Sequence, residues 1–378
     1  MNVGDTKFRV MNLFCCFLVA IGPWITNVSE NGFSVLWTTD EETVACIELS
    51  DGTRFYEEYC GRRVASKFHC IYVSGLDSCS SVDYKVINKS LTNNVDPRRP
   101  EYGLESVDGP YNVRLFNSSR NSCRFSVMND MHMNRQKYSA LASQIPVDST
   151  DFLFLNGDII SNGHYCMDTL VSYEIGPIND ISPVLPVMFA RGNHEGRGSG
   201  VRLVEQVYPN NGELPYTYMF REGPAAFLVL DAGETGVKNS LHLAERNIYD
   251  KYIMEQVKWA QKAMESPEWK NAKVRICMLH VPMIENNMPG EREVYSWMNS
   301  TVVPVLNESG VDLMISGDLH VHLYVHRGSM GNMFPIVVND NNSRLEVQII
   351  DNSISIRIFD QKGKIRHTYN VTTQVPLT

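Results

Sequence analysis

Five short blocks hold nearly all the chemistry this chain could perform. Each is an apolar run that ends in Asp, Asn or His. They are Phe125-Ser-Val-Met-Asn-Asp130-Met-His132, Asn156-Gly-Asp158, Gly192-Asn-His-Glu195, Leu279-His280 and Ser316-Gly-Asp-Leu-His-Val-His322. Five of the ten histidines, at 132, 194, 280, 320 and 322, lie inside them. Carboxylate and amide oxygens mixed with imidazole nitrogens are the donor set of catalytic Zn, Mn or Fe ions. One block alone is a turn or a cap; the five together read as a single metal site.

The runs that precede these donors have strand character. Asp151-Phe-Leu-Phe-Leu155, Val187-Met-Phe-Ala190, Phe227-Leu-Val-Leu230 and Val274-Arg-Ile-Cys-Met-Leu279 are continuous apolar stretches, as expected of strands buried on both faces. In open α/β sheets, ligands collect beyond the carboxyl ends of such strands, and that is where Asp130, Asp158, Asn193, His280 and the last His-rich block fall. Asp250 to Met264 predicts a helix with Ile253, Val257 and Ala260 on one face. After Val311-Asp-Leu-Met-Ile315 the pattern returns to β, predicting an α/β domain closed by a β-rich tail.

Pro23 to Asn121 reads differently. Phe33-Ser-Val-Leu-Trp-Thr38, Cys46-Ile-Glu-Leu49, Cys70-Ile-Tyr-Val73 and Val82-Asp-Tyr-Lys-Val-Ile87 are short strands between turn residues, the pattern of a sandwich. Gly75-Leu76 followed by Tyr84 and Val86 resembles the tyrosine corner of fibronectin type III-like domains. No titratable cluster falls here, so this region reads as structural or docking. The polar stretch Asn117-Ser-Ser-Arg-Asn-Ser122 reads as the linker.

At 378 residues, two domains are expected. The formal net charge is −9 with the two signs interspersed, which argues against general nucleic-acid or anionic-membrane binding. A phosphate-containing substrate is compatible, because bound cations supply local positive charge. Val10 to Ile21 is apolar except for Asn12 and follows Lys7 and Arg9. It is too short to span a bilayer and fits a signal-peptide core within residues 1–20. A secreted, periplasmic or extracellular protein with no transmembrane helix in the mature chain is therefore expected. Nine cysteines without CxxC spacing define no framework, although Cys46, Cys60, Cys70 and Cys79 allow one or two bridges in the first domain.

Taken together, the five blocks resemble those of the calcineurin-like metallophosphoesterases, in the family's order. From Gly22-Pro-Trp-Ile-Thr-Asn27 onward the chain is also similar to purple acid phosphatases with their N-terminal fibronectin III-like domain. The resemblance implies a fibronectin III-like β-sandwich over residues 21–121. It implies an α/β metallophosphoesterase domain over 122–378, two mixed sheets flanked by helices. It further implies a hydrolase of small-molecule phosphomonoesters or phosphodiesters with two divalent or trivalent ions among Mn, Fe, Zn, Mg and Ca. Asp158 would bridge the ions, Asp130, His132 and the last motif histidine would hold one, and Asn193 and His280 the other. Activated hydroxide would attack phosphorus, with His194 as general acid.

Two departures qualify this. Ser161 stands where purple acid phosphatases carry the iron-bound Tyr, and the first motif has His132, so no Fe(III)-tyrosinate colour is expected and the site is nearer the Asp-x-His phosphodiesterase type. The family's Gly-His-x-His also reads Gly317-Asp-Leu-His320 here, followed by Val321-His322. Either Asp318 replaces the first imidazole on the second ion, favouring harder metals, or His320 and His322 are the pair and the loop carries an insertion. His164, Tyr165, Arg197, Glu234 and Asn286 are pocket candidates, equally readable as solvated loop residues. The alternative from another class is a catalytically weak binding or adhesion protein whose sandwich docks a partner and whose metal site is vestigial. Six of the seven motif positions carry the family residue, which favours the enzyme. Nothing in the sequence fixes the oligomeric state.

Overall fold

The computed structural model describes residues 19–76, 80–161, 165–234, 249–284 and 292–373, with side chains from 298 onward in the last stretch. Residues 1–18, which hold Cys15, Cys16 and all of the signal-like run Val10 to Ile21 except its last three residues, lie outside the described residues, as do Cys79, His164 and Asn286; Val19 to Ile21 begin the strand Val19–Thr26.

Residues 19–114 form a region of β-strands built around Gly32–Leu49, a strand of 18 residues. Its first half lies between Val19–Thr26 and Ala65–Ser74; its second half pairs with Ser81–Asn93 and Arg54–Tyr56. The two strands expected at 33–38 and 46–49 are thus one. Between them stands Thr39-Asp-Glu-Glu-Thr43, which has no Gly or Pro to make a turn, so the chain bends at an irregularity between Thr38 and Thr43 and continues extended. Phe33, Val35 and Trp37 on one half and Ala45 and Ile47 on the other share a core with Ile71, Val73, Tyr84 and Val86.

The tyrosine corner expected at Tyr84 is corrected. Its hydroxyl donates to Pro183 O at 2.7 Å, far along the chain, so it fastens the β-region to the α/β part instead of closing its own corner. Trp24 Nε1 donating to Val207 O at 2.9 Å and Ile25 N donating to Ser182 O at 3.2 Å reinforce that seam. Cys46, Cys60 and Cys70 are free thiols, so none of the bridges the sequence allows among these three is made.

The remaining described residues fold into two six-stranded mixed sheets. In the first, Val187–Ala190, Phe152–Asn156 and Ser122–Met128 run parallel, and Ser343–Ile350, Ser353–Asp360 and Ile365–Thr372 extend it antiparallel. The β-rich tail is therefore half of this sheet. In the second, Ala225–Leu230, Val274–Leu279, Leu313–Ser316 and Ile336–Val338 are parallel, with Tyr218–Glu222 and Leu323–Val325 antiparallel at the two edges. The continuous apolar runs are explained by three layers of core. Phe125, Phe152, Phe220 and Phe227 pack between the sheets, with ring centroids 4.6 to 5.5 Å apart. Leu153 and Leu155 face helices outside the first sheet, and Leu228, Cys277 and Leu279 face Tyr249–Met264 and Arg292–Glu308 outside the second. Ile253, Val257 and Ala260 are buried as the helical spacing predicts.

Candidate metal centre

The five blocks meet where parallel strands of both sheets end. Ser122–Met128 runs into Asp130, Phe152–Asn156 into Asp158, Val187–Ala190 into Asn193, Val274–Leu279 into His280 and Leu313–Ser316 into Asp318. Main-chain bonds lock the loops together: Asp130 N donates to Gly157 O (3.0 Å), His132 N to Asp158 O (3.0 Å) and Gly317 N to His280 O (2.7 Å). Asp130, His132, Asp158, Asp318 and His320 all have φ between 47 and 68°, the left-handed region that non-glycine residues seldom adopt. The surrounding hydrogen bonds hold them there, turning each side chain inward immediately after a strand. Gly157 and Gly192 are required by space: a Cβ on Gly192 would stand 2.1 Å from Asp158 Oδ1, and one on Gly157 2.7 Å from the His280 ring.

Among the described residues the donor atoms fall into three overlapping groups, each within 4.8 Å: Asp130, His132 and His320; His132, Asp158 and His194; Asp130, Asp158 and His280. Asp130 Oδ1 lies 3.2 Å from His320 Nε2 and 3.6 Å from His132 Nε2. Asp158 Oδ2 lies 3.3 Å from His280 Nε2, 3.7 Å from His194 Nε2 and 3.9 Å from His132 Nε2. Asp318 joins the His280 side, with Oδ1 4.0 Å from His280 Nε2, while its main-chain N donates to Asp130 Oδ2 at 3.0 Å. His322 points elsewhere: Nδ1 lies 2.9 Å from Val338 O and Nε2 2.8 Å from the Tyr369 hydroxyl.

These groups fit cations. His280 is fully buried; Nδ1 donates to Asn156 O at 2.5 Å, which turns Nε2 inward toward Asp158 Oδ2 at 3.3 Å, and Asp130 Oδ1 is likewise buried among imidazole nitrogens. His132 Nε2 and His320 Nε2 face each other at 2.9 Å, a pairing two lone pairs tolerate only with a proton or a cation between or beside them. The Asn193 amide oxygen, turned inward, sits 3.2 Å from Asp158 Oδ2 and 3.3 Å from Asp318 Oδ1, three oxygens that a cation would draw together; turned over, its nitrogen donates to both carboxylates. Burial pushes the Asp130 and Asp158 carboxyls up, but the His280 charge and hydrogen bonds from neighbouring imidazoles outweigh it and hold both below the usual range. Burial also opposes charge on His280, yet Asp158 and Asp130 raise it well above an ordinary imidazole. Charge at this centre is thus balanced by protons on histidine, the place a bound metal takes over.

His194 sits at the rim. Its main-chain N donates to Asp158 Oδ1 at 2.9 Å, and Arg197 Nη1 donates to its Nε2 at 3.1 Å, so in the neutral ring Nδ1 bears the hydrogen and has no partner. Burial lowers this imidazole to about 4 despite the pull of Asp158. Arg197 is clamped by Glu234, with Nε to Oε2 and Nη2 to Oε1 both at 2.5 Å, and the Tyr165 hydroxyl donates to Met133 Sδ at 3.8 Å.

Several supporting residues had no role assigned from the sequence. Asn129 Nδ2 donates to Asp130 Oδ2 at 2.5 Å and is itself held by Asn339, and Lys137 Nζ donates to Asp130 O at 2.8 Å. Buried Glu195 accepts from four main-chain amides: Asp158 (2.9 Å) and Gly192 (2.8 Å) on Oε2, Ile159 (2.9 Å) and Ile160 (3.3 Å) on Oε1. The available signal was position, since Asn129 and Glu195 each adjoin or share a motif. Glu195→Gln turns an amide donor toward amide donors. A loss of about 1–3 kcal/mol in urea-unfolding stability is expected, with reduced metal content; unchanged values for both would show that the carboxylate does not organise these loops.

The sequence profile of the calcineurin-like phosphoesterases matches residues 123–322, and the chain belongs to that family. Purple acid phosphatase 18 of Arabidopsis thaliana is 24% identical over 173 residues, 44% of this chain and 38% of that protein. The chain thus matches well under half the length of that curated relative. Among solved structures, the purple acid phosphatase PPD1 of yellow lupin (Lupinus luteus) superposes with a TM-score of 0.65 over 93% of this chain and 74% of its own, at 13% identity. GAP50, described as the anchor in the inner membrane complex of Plasmodium, gives 0.51 over 68% of this chain and 90% of its own, at 14% identity. These likenesses establish the fold: a β-rich N-terminal region on a metallophosphoesterase α/β core.

Proposed function

We propose that this protein hydrolyses small-molecule phosphate esters, monoester or diester, with two metal ions held by Asp130, His132, Asp158, Asn193, His280, Asp318 and His320. The observation that carries the reading is the pair of buried carboxylates facing imidazole nitrogens, with His280 Nε2 3.3 Å from Asp158 Oδ2 and 3.9 Å from Asp130 Oδ1. Asp130, His132 and His320 form one ligand set; Asn193, His280 and Asp318 form the other; Asp158 stands between them. When bound, two cations draw charge from a phosphoryl group and lower the pKa of water.

The chain's own groups do the rest. Asn156 fixes the His280 tautomer, and Asn129, Lys137 and the Asp318 amide fix Asp130. His194 is placed to give its proton to the leaving oxygen; the negative charge of a bound phosphate ester favours the imidazolium form it needs. Arg197, braced by Glu234, holds that ring. The apolar run Val10 to Ile21 makes export part of the same proposal; among the described residues no helix is long and apolar enough to cross a membrane.

The test is metal content together with turnover of nitrophenyl phosphate and bis(nitrophenyl) phosphate after loading with Mn, Zn, Fe, Mg or Ca. About two equivalents and hydrolysis of at least one ester are expected. No bound metal and no turnover with any ion would overturn the proposal.

Asp318 tunes the metal. An oxygen donor in place of imidazole favours harder ions such as Mn, Mg or Ca. Asp318→His is expected to shift the ratio of Zn- to Mn-supported activity about tenfold toward Zn, following the preference of imidazole. An unchanged ratio with full metal loading would place Asp318 outside the ligand set.

A further inference from the structure

The candidate centre draws its ligands from two separate sheets. Asp130, His132, Asp158 and Asn193 follow strands of the first, and His280, Asp318 and His320 follow strands of the second. Among the described residues the two sheets share no strand ladder. Apolar packing holds them together but is non-directional, so it does not set the position of one ligand set against the other.

A seam of polar contacts does cross from sheet to sheet beside the centre. On Val187–Ala190, the end strand of the first sheet, Phe189 N donates to the Tyr218 hydroxyl at 3.1 Å and Phe189 O accepts from it at 2.8 Å; Tyr218 opens the end strand of the second sheet. Two residues further on, Arg191 Nη2 lies 2.6 Å from Asp231 Oδ2, and Asp231 directly follows Ala225–Leu230 of the second sheet. Arg191 is 7% exposed and Asp231 fully buried. At the rim, Arg197 is held by Glu234. The loops 191–197 and 231–234 are thus joined by an ion pair at each end, and Asn193 and His194 lie between the two arginines.

The buried pair is itself firmly held. Asp231 Oδ1 accepts from Gly233 N (2.8 Å) and Oδ2 from the Tyr252 hydroxyl (3.2 Å), while the Gln256 side chain bonds both the main-chain N–H and C=O of Asp231 (2.6 and 2.7 Å). The Arg191 guanidinium lies over the rings of Tyr216 and Tyr249, 4.7 and 6.0 Å from their centroids.

We infer that Arg191 and Asp231 are a positioning pair, which sets where the loop 192–197 stands against the second sheet. The inference rests on the function proposed above. Glu195 ties this loop to Asp158, Ile159 and Ile160, which follow a strand of the first sheet; the Arg191–Asp231 pair ties it to the second. Asn193 is thereby placed against Asp318, and His194 against the leaving oxygen. A buried ion pair adds little net stability over apolar side chains of similar volume. What it supplies here is direction, which a charge-assisted hydrogen bond has and an apolar contact lacks.

The test replaces the pair by apolar side chains, Arg191→Met with Asp231→Leu, so that no buried charge is left without its partner. Arg191→Lys is the conservative companion, and circular dichroism with urea unfolding reports folding. In the double variant, turnover of glycerol phosphate is expected to fall at least about tenfold further than that of nitrophenyl phosphate, because only the first needs the proton of a well-placed His194. Arg191→Lys retains a cation for Asp231 and should keep the ratio of the two rates within about threefold of the wild-type value. A lower folded fraction scales both rates alike and leaves their ratio unmoved. Amide hydrogen exchange gives a readout that needs no activity: over residues 192–197 it should rise at least about tenfold in the double variant, with the strand 153–156 unchanged. An unchanged ratio in the folded double variant, unchanged exchange of 192–197, or a Lys variant no better than the double variant would overturn the inference. Wild-type protein that hydrolyses neither ester would remove the proposed function instead, and exchange alone would then decide whether the pair places the loop.

Discussion

Asp158→Asn is expected to lower turnover of nitrophenyl phosphate by about three orders of magnitude or more, equivalent to about 4 kcal/mol of transition-state stabilisation. The substitution keeps the shape of the side chain but removes the charge that both proposed ligand sets share. Asp158 Oδ2 lies within 4 Å of His132, His194 and His280, while Oδ1 accepts from His194 N, so no neighbouring carboxylate can take over its place. Removal of one anion also leaves His280 with Asp130 as its principal counter-charge, which weakens retention of any cation. Metal content by elemental analysis should fall from about two equivalents toward one or below. A loss of activity under tenfold with both ions retained would show that Asp158 does not join the two halves. Asp158 is buried against Glu195 and the Gly192 loop, so the unfolding transition must be measured in parallel to separate loss of metal from loss of fold.

The residues that gather at the candidate centre were visible in the sequence because strand-end chemistry is local: an apolar run followed by Asp, Asn or His is visible without knowing what packs on it. The geometry within the site was not. Which of Asp318 and His322 turns inward is decided by left-handed backbone at Asp318 and His320 and by the capture of His322 between Val338 and Tyr369. Tyr369 lies on the last strand, which has no legible pattern: seven of its eight positions are exposed or half-buried, so hydrophobic alternation is missing. The β-rich tail was readable as strands, but its pairing with Ser122–Met128 rests on contacts between residues more than 200 positions apart. Tyr84 failed as a corner for a related reason. Its motif was local, whereas its partner, Pro183, belongs to the other half of the chain.

His194→Ala should separate substrates by their leaving group. Nitrophenolate departs as a stable anion and needs no proton, whereas an alkoxide does. A positioned proton donor is worth about 10²–10⁴ in rate. Turnover of an alkyl phosphate such as glycerol phosphate is therefore expected to fall at least about a hundredfold, and that of nitrophenyl phosphate by less than about tenfold. The geometry behind this is specific. His194 Nε2 is the nitrogen turned toward the centre, 3.7 Å from Asp158 Oδ2; in the neutral ring it accepts from Arg197 Nη1, and in the imidazolium its own hydrogen is the one offered to the leaving oxygen. The His194 main chain, not its ring, makes the bond to Asp158, so truncation at Cβ leaves that bond and the loop's anchor in place. Equal losses on both substrates would remove the proton-donor role and leave His194 as a residue that shapes the Asp158 side of the site. Glu234→Gln supplies the companion measurement. Weakening the clamp on Arg197 loosens the brace on His194 without touching the ring, so the same leaving-group dependence should return in smaller degree.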